Sequence, residues 1–387
     1  MAIPLKYNIG NLVSRKVSTA MTILGIGVVI AVMVAMMALY NGVQQALVSS
    51  GSKENMIVLR EGAQTEATSW VTRDKYRLLT TLPGIAKAST GDALVSPELV
   101  IIFKLPRRDN PTGSNINVRG VTPKALEIRP YIKIVDGKMF RSGTNEVIVS
   151  RRMQKRFLNT DVGDTFQSGP RSWTVVGVFD AQSTSFDSEI WADLDYLGLA
   201  QSRPQFSSVL LRPEGPAAFK SIADTIATDT RLKLLTKTEY KYYEDQSSGL
   251  LGIKILVTIV TFFMVLGATL GAMNTMFSAV ASRKRELATM RALGFKRRDV
   301  LLSVVIEAVV VSGLAGIAGV LLALPVNGIA TGTANFVTFS EVAFNFRISP
   351  EVAAFAIGLA IVAGVIGGLL PAISAARLPI TRALREI

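Results

Sequence analysis

The chain has 387 residues, 49% of them hydrophobic but only 7% aromatic, with a mean hydropathy of +0.37, an apolar excess that points to membrane spans joined to a water-soluble domain. Its 42 Lys and Arg against 29 Asp and Glu give a net charge of +13, but most of that excess flanks apolar runs, in residues 1–18, 283–299 and 372–387, so topology rather than nucleic-acid binding accounts for it. With no Cys and no His, the chain excludes disulfides, thiolate nucleophiles, imidazole bases and the usual zinc sites.

Residues 1–18 place Leu5, Ile9, Leu12 and Val13 at helical spacing opposite polar residues, the pattern of an amphipathic helix in the inner membrane interface. The first apolar segment, 19–47, has a core too long for a secretory signal and no A-x-A site in the right place, and reads as an uncleaved spanning helix. Residues 48–250 form a soluble α/β domain. Strands are expected at 56–60, 95–105, 147–149, 173–179 and 207–211, where β-branched residues are bounded by Gly, Pro or Asp. Helices are expected at 72–82, stopped by Pro83-Gly84, and at 216–228, with Phe219, Ile222 and Ile226 on one face. Two strand–helix–strand halves, at about 55–105 and 206–236, thus bracket a β-rich insertion at about 106–205, with residues 185–191 and Gly163-Asp164 in its turns. Residues 240–248 continue the second span outward as a helical stalk.

Three more apolar segments follow, at 251–282, 300–325 and 351–371, separated by a basic loop at 283–299 and a short loop at 326–350. Lys6, Arg15 and Lys16 precede the first span, and Arg377, Arg382 and Arg385 follow the fourth. The 283–299 loop is dense in Lys and Arg, whereas 326–350 carries only Glu341 and Arg347. The positive-inside rule therefore puts both termini and the 283–299 loop in the cytoplasm, and 48–250 and 326–350 outside. The fold class is four transmembrane α-helices plus a large extracytoplasmic α/β domain of two βαβ-like halves with an inserted β-rich subdomain.

No G-x-x-x-x-G-K-[ST] occurs, so ATP cannot be bound by a P-loop here. The intramembrane glycines form small-residue ladders, among them Gly267-x₃-Gly271-x₃-Thr275 and Ala360-x₃-Gly364-x₃-Gly368, which let helix backbones approach within the subunit or across a dimer seam. Glu307, the one acid inside a span, is read as an ion pair with a basic residue of the 283–298 loop rather than as a proton relay. Asp180, Asp187, Glu189, Asp193 and Asp195 are read as surface acids of turns rather than catalytic carboxylates. Within the basic loop, Glu286-Leu-Ala-Thr-Met-Arg-Ala-Leu293 has high helix propensity, and Gly294 supplies a stop. Leu287, Met290 and Leu293 make an apolar ridge, with Ala292 beside it and Glu286 and Arg291 placed for rim ion pairs. Topology needs the charge but not a defined amphipathic helix; a docking element needs both.

The run Asn274-x₈-Arg283-x₂-Glu286-Leu-x₃-Arg291-Ala-Leu-Gly294, then Arg298-x₈-Glu307-Ala308, resembles the FtsX-like permease domain of the MacB-type ABC transporter superfamily. The ending Pro371-Ala-x₂-Ala-Ala-Arg-x-x-Pro379 is similar to that domain's ending. Glu146-Val-Ile-Val-Ser, Val162-Gly-Asp164, Val175-Val-Gly-Val-Phe179 and Phe186-Asp-Ser-Glu-Ile-Trp191 resemble the family's extracytoplasmic domain. The resemblance implies a homodimeric, non-catalytic permease of a bacterial inner membrane, with residues 286–294 as the coupling helix seated on two ATPase subunits. Because macrolide-exporter members carry a fused ATPase ahead of the first span, the short leading segment here implies a separate ATPase, which would bind the ATP and Mg; no cofactor is expected on this chain. A periplasmic adaptor and an outer-membrane channel are possible further partners, beside the lipid bilayer. The implied activity is extraction or efflux of a macrolide, lipopeptide or lipoprotein by mechanotransmission. The alternative is an FtsX-like regulator of cell-wall hydrolases, whose outer domain is generally smaller.

Overall fold

The computed structural model describes residues 10, 14–88, 90–109, 112–168, 171–335 and 338–379. Apart from residues 10 and 14–18, the amphipathic helix expected at 1–18 lies outside these, as does the tail beyond 379. Two compact units form, one from residues 42–252 with 330–345, the other from the remaining described segments up to 41, 253–329 and from 346 onward.

Helix α1 (Lys16–Val48) opens the chain and contributes its last turns to the first unit. That unit then runs β1 (Met56–Arg60), α2 (Arg73–Thr80), β2 (Val95–Leu105), β3 (Ser114–Val121), α3 (Lys124–Ile128), β4 (Lys133–Gly137), β5 (Glu146–Ser150), α4 (Arg151–Arg156), β6 (Thr165–Ser168), β7 (Arg171–Asp180), β8 (Glu189–Asp193), α5 (Leu194–Ala200), β9 (Ser208–Leu211), α6 (Pro216–Thr228), β10 (Leu234–Thr238) and α7 (Glu239–Ser247). The sheet order begins β10-β1-β9-β2, every neighbour antiparallel. With α2 between β1 and β2 and α6 between β9 and β10, this is a split βαβ pair.

Period-two alternation sorts β1 cleanly. Met56 and Val58 enter the cluster with Leu79 of α2 and Ile222 and Ile226 of α6, so both helices cover one face. Ile57 and Leu59 enter the opposite cluster with Tyr242 and Tyr243 of α7. Local chemistry marks the helix ends: Thr72 Oγ1 accepts from Lys75 N before α2, Pro216 occupies the first turn of α6, and Asp193 accepts from Tyr196 N to cap α5.

The insertion does not make a sheet of its own. Residues 95–98 of β2 pair with β9 and residues 99–105 of the same strand pair with β3, so the order continues β2-β3-β8-β5-β7-β4, with β6 on β7. One long strand thus belongs to both parts of the domain. Residues 185–191, expected in a turn, instead give a 3₁₀ turn at Ser185–Ser188 and the buried strand β8. The acids hid that strand, because Asp187 and Glu189 are paired internally rather than solvated. The short loop expected at 326–350 also changes: it contains the hairpin β11 (Ala330–Asn335) and β12 (Ser340–Asn345), which packs with the α/β unit.

The second unit holds α8 (Leu251–Ala281), α9 (Lys284–Ala292), α10 (Arg297–Ala323) and α11 (Pro350–Ala376). Helices α1, α8, α10 and α11 are each long and apolar enough to cross a membrane. Helices α10 and α11 pack antiparallel through small residues. A Cβ on Gly316 would lie 3.1 Å from Ala360 Cβ, one on Gly364 would overlap Ser312 Oγ, and one on Gly368 would lie 2.5 Å from Ala308 Cβ. These pairs step by four residues in opposite directions along the two helices, the close approach that lipid-embedded helices need in place of a hydrophobic drive.

Candidate functional site

Helix α9 has nine residues, too few to stand on propensity alone. It is held by its apolar face and its basic ends. Leu287 is 3% exposed and clusters with Met276, Val280, Val300, Val304 and Ala372; Ala288 is buried, and Met290 packs against the same cluster. Arg283 Nη1 donates to Glu307 Oε2 at 2.9 Å, its Nε donates to Glu286 Oε2 at 2.9 Å, and Arg291 Nη1 donates to the Ala376 carbonyl at 2.8 Å. Leu293 N donates to the Thr289 carbonyl, and Gly294 then turns the chain at φ 98°.

This geometry corrects the expected ridge. Leu287 and Met290 bind the helix to its own spans, and Arg291 caps the end of α11 rather than waiting at a rim. Leu293 is 75% exposed, and Glu286, Ala292 and Gly294 are exposed with it. Only Leu293, of the three ridge residues, is left outward. Amphipathicity reports that a face is covered but not by what, so the sequence could not separate the two halves of the ridge.

Helix α8 carries small residues on two faces. Ala268 and Ala272 are buried, and the backbone of Thr269 and Met273 admits Gly367 of α11. Gly267 and Gly271 lie on the other side, where an added Cβ would meet nothing within 4 Å. Thr275 Oγ1 donates back to the Gly271 carbonyl at 3.0 Å. Phe262, Phe263, Leu266 and Leu270 are exposed on the same helix.

The α/β unit contains a charge cluster that sequence reasoning missed. Arg119 of β3 is fully buried and donates to three carboxylates: Glu189 at 2.7 and 2.8 Å, Glu66 at 2.7 and 3.1 Å, and Glu98 at 2.7 Å. Arg129 donates to Glu98 at 2.5 Å and to Glu239, the first residue of α7, at 2.9 Å. Ser208 Oγ and Trp191 Nε1 donate to Glu66 and Glu189, and Asn55 Nδ2 and Ser52 N donate to Glu239. Nearby, Ser50 Oγ donates to Ala46 O and is hydrogen-bonded with Ser185 Oγ at 2.8 Å, and Tyr131 Oη donates to Ser50 O. Within this unit, the end of α1 and the start of α7 are thus both tied into the buried interior. No spacing rule connects positions 66, 98, 119, 129, 189 and 239, and a buried charge looks like any surface charge in a sequence.

Burial works to raise the Glu98 carboxyl, but the Arg129 and Arg119 guanidiniums beside it hold it below the usual carboxylate range. Because the folded value lies below the unfolded one, the stabilisation Glu98 brings is present at neutral pH and is lost as pH falls from about 4.3 through the folded value. The three tryptophans are Trp70, Trp173 and Trp191, all in the α/β unit, so intrinsic fluorescence reads this unit alone. Its thermal midpoint in the full-length chain is expected to fall below about pH 4, with a flatter acid limb in Glu98→Gln.

The remaining acids have structural partners. Asp187 accepts from Ala181 N, Ser183 N and Arg152; Asp193 from Tyr196 N and Ser142 Oγ; Asp195 pairs with Arg73 at 2.6 Å, and Asp180 with Arg151 at 3.6 Å. Among the described residues, no group of three or more Asp and Glu is placed to hold a metal ion.

Four helices long and apolar enough to span, a split βαβ domain and a short helix braced on them define a multi-pass membrane protein. The comparisons agree with that class. Residues 19–228 match the family model of the MacB-like periplasmic core domain, and 258–380 match that of the FtsX-like permease C-terminal region. The chain therefore belongs to the MacB-like, FtsX-like family of ABC transporter permeases, membrane proteins with an extracytoplasmic domain that serve as transport components.

It is 24% identical over 420 residues to a macrolide export ATP-binding/permease protein, MacB, of Hahella chejuensis, covering 96% of this chain and 58% of that protein. It thus spans little more than half the length of that relative. An uncharacterized ABC transporter permease, YknZ, of Bacillus subtilis is 24% identical over 409 residues, with 98% of each chain covered. The periplasmic region of MacB from Actinobacillus actinomycetemcomitans overlays on half of this chain with a TM-score of 0.39 and 13% identity, covering 92% of that structure.

Proposed function

We propose that this chain is the permease subunit of an ABC transporter that works by mechanotransmission. Its short helix α9 is the docking element for a cytoplasmic ATPase. The observation that carries this reading is the bracing of α9: Arg283 to Glu307 of α10, Arg291 to the end of α11, and Leu287 into the cluster between them, with Leu293 left exposed. A push on Leu293 is delivered to spanning helices through buried contacts, because packed interiors deform little. The basic loop and both termini face the cytoplasm under the positive-inside rule, in a bacterial inner membrane, with the α/β domain outside. ATP and Mg belong to the partner, of which two copies serve a permease dimer. The outward face of α8 with Gly267, Gly271 and Thr275 is the dimer seam, where open glycines admit a second backbone.

The cargo is an amphiphile of the macrolide, lipopeptide or lipoprotein type, moved by the outer domain, with a periplasmic adaptor and an outer-membrane channel completing the path in a two-membrane envelope. A hydrophilic conduit through the spans has little support: Glu307, the acid on the third span, is paired with Arg283. The test is a pull-down of the tagged full-length chain from native membranes. Co-purification of an ABC ATPase whose hydrolysis rises in the complex supports the reading. Failure of any ATPase to bind a folded, dimeric chain overturns it.

A further inference from the structure

The hairpin β11–β12 joins two spanning helices, yet its contacts are with the α/β domain. Its flanks are short: residues 327–329 connect it to the end of the 3₁₀ turn Leu324–Val326, and residues 346–349 connect it to α11. At about 3.3–3.6 Å per residue such connections have little slack. What slack exists is taken up, because Phe346 N donates to Ile329 O at 3.1 Å and Gly328 N to Phe346 O at 2.9 Å, prolonging the hairpin's ladder towards the helices.

On the domain the hairpin is gripped in three ways. Glu341, 8% exposed, pairs with Arg107 at 3.3 Å and with Arg156, both of them largely buried. Ala343 N donates to Ser188 Oγ at 2.5 Å, and Asn115 Nδ2 donates to Phe339 O at 3.2 Å. Phe344 is buried beside Gly42, where an added Cβ would meet Asn345 O. Gly332 permits the ion pair, since a Cβ there would lie 2.6 Å from an Arg156 nitrogen. Every one of the first two grips reaches the inserted subdomain, through Arg107, Arg156, Ser188 and Asn115. Ser188 is followed directly by Glu189, a partner of Arg119 in the buried charge cluster.

We propose that the hairpin is a strap through which the third and fourth spanning helices load the inserted strands of the outer domain, with Glu341 as its positioning residue. This rests on the permease reading. It adds a second route of force to the outer domain, besides the chain segments that lead from α1 and into α8. A buried ion pair suits a strap: stretching it exposes a charge that burial has left without water, so it resists partial displacement and holds one register. The grip lies on the subdomain that differs most from a minimal split βαβ fold, which is where a stroke has to arrive if the insertion is to move against the rest.

The test uses the full-length chain with its co-purified ATPase in lipid nanodiscs, comparing hydrogen exchange in the nucleotide-free and the ATP–vanadate-trapped states. The wild type is expected to show a trapping-dependent change in β3 to β8. Glu341→Gln is expected to lose most of that change and to exchange faster in β11 and β12, while the ATPase still binds and hydrolyses ATP. Glu341→Asp, which keeps a carboxylate between Arg107 and Arg156, is expected to restore part of both. Tryptophan fluorescence melting checks that each variant is folded. A wild type without any trapping-dependent change sinks the permease reading itself. A wild type that responds beside a Glu341→Gln variant that responds equally overturns the strap alone.

Discussion

Leu293→Asp is expected to abolish recovery of a partner ATPase with the full-length chain while leaving its thermal unfolding unchanged. Leu293, the residue that ends α9 as its C-cap, is an apolar side chain left uncovered at 75% exposure. Burying a leucine in a partner's groove contributes about 1.5–3 kcal/mol. Each 1.4 kcal/mol is about a tenfold change in affinity, and an aspartate in that groove adds its own desolvation cost, so the loss should exceed about a hundredfold. Leu287→Asp is the necessary contrast. That side chain is buried among Val280, Val300, Val304 and Ala372, so the substitution should lower the melting temperature of the spanning unit and loosen α9. If Leu293→Asp binds the ATPase normally, the docking face lies elsewhere on the basic loop.

Arg119→Met is expected to destabilise the outer domain by about 3–5 kcal/mol, because it removes the guanidinium while leaving its carboxylates buried. Glu66, Glu98 and Glu189 all converge on Arg119, and Glu98 alone retains a second guanidinium, that of Arg129. Arg119→Lys should rescue little, since one ammonium cannot reproduce a fork that serves three carboxylates. Replacing Arg119 together with Glu66 and Glu189 by apolar residues of similar volume is expected to recover most of the loss, because the penalty lies in the unpaired charges rather than in the absence of the pair. Thermal or urea unfolding followed by tryptophan fluorescence measures all three. A melting point for Arg119→Met equal to wild type would show that water reaches the cluster.

The spans were legible because a run of about 20 apolar residues has few other uses. The two strand–helix–strand halves were legible because Met56–Arg60 is a short, continuous apolar run and Pro216–Thr228 carries a helical pattern. The topology that interleaves them, with β9 between β1 and β2, depends on long-range pairing and is not written in any local pattern. Strand β8 was lost because Glu189 and Asp193 break its apolar run, and only the fold shows that Arg119 and the α5 cap account for those acids. The 330–345 hairpin was lost for a similar reason. Its Ala, Gly and Asn residues have weak strand propensity, and Arg107 and Arg156, which hold Glu341, are far away in sequence. In the loop helix the ridge was seen and half of its destination was not.

In the proposed permease, nucleotide binding inside the cell moves a domain outside it. The most direct measurement is the change in hydrogen exchange across residues 42–252 when the nanodisc-embedded complex is trapped with ATP and vanadate. Altered protection concentrated in α7, the 185–188 turn and the inserted strands is the predicted result. An outer domain whose exchange is identical in the nucleotide-free and trapped states, in a complex that hydrolyses ATP, would rule out this transmission.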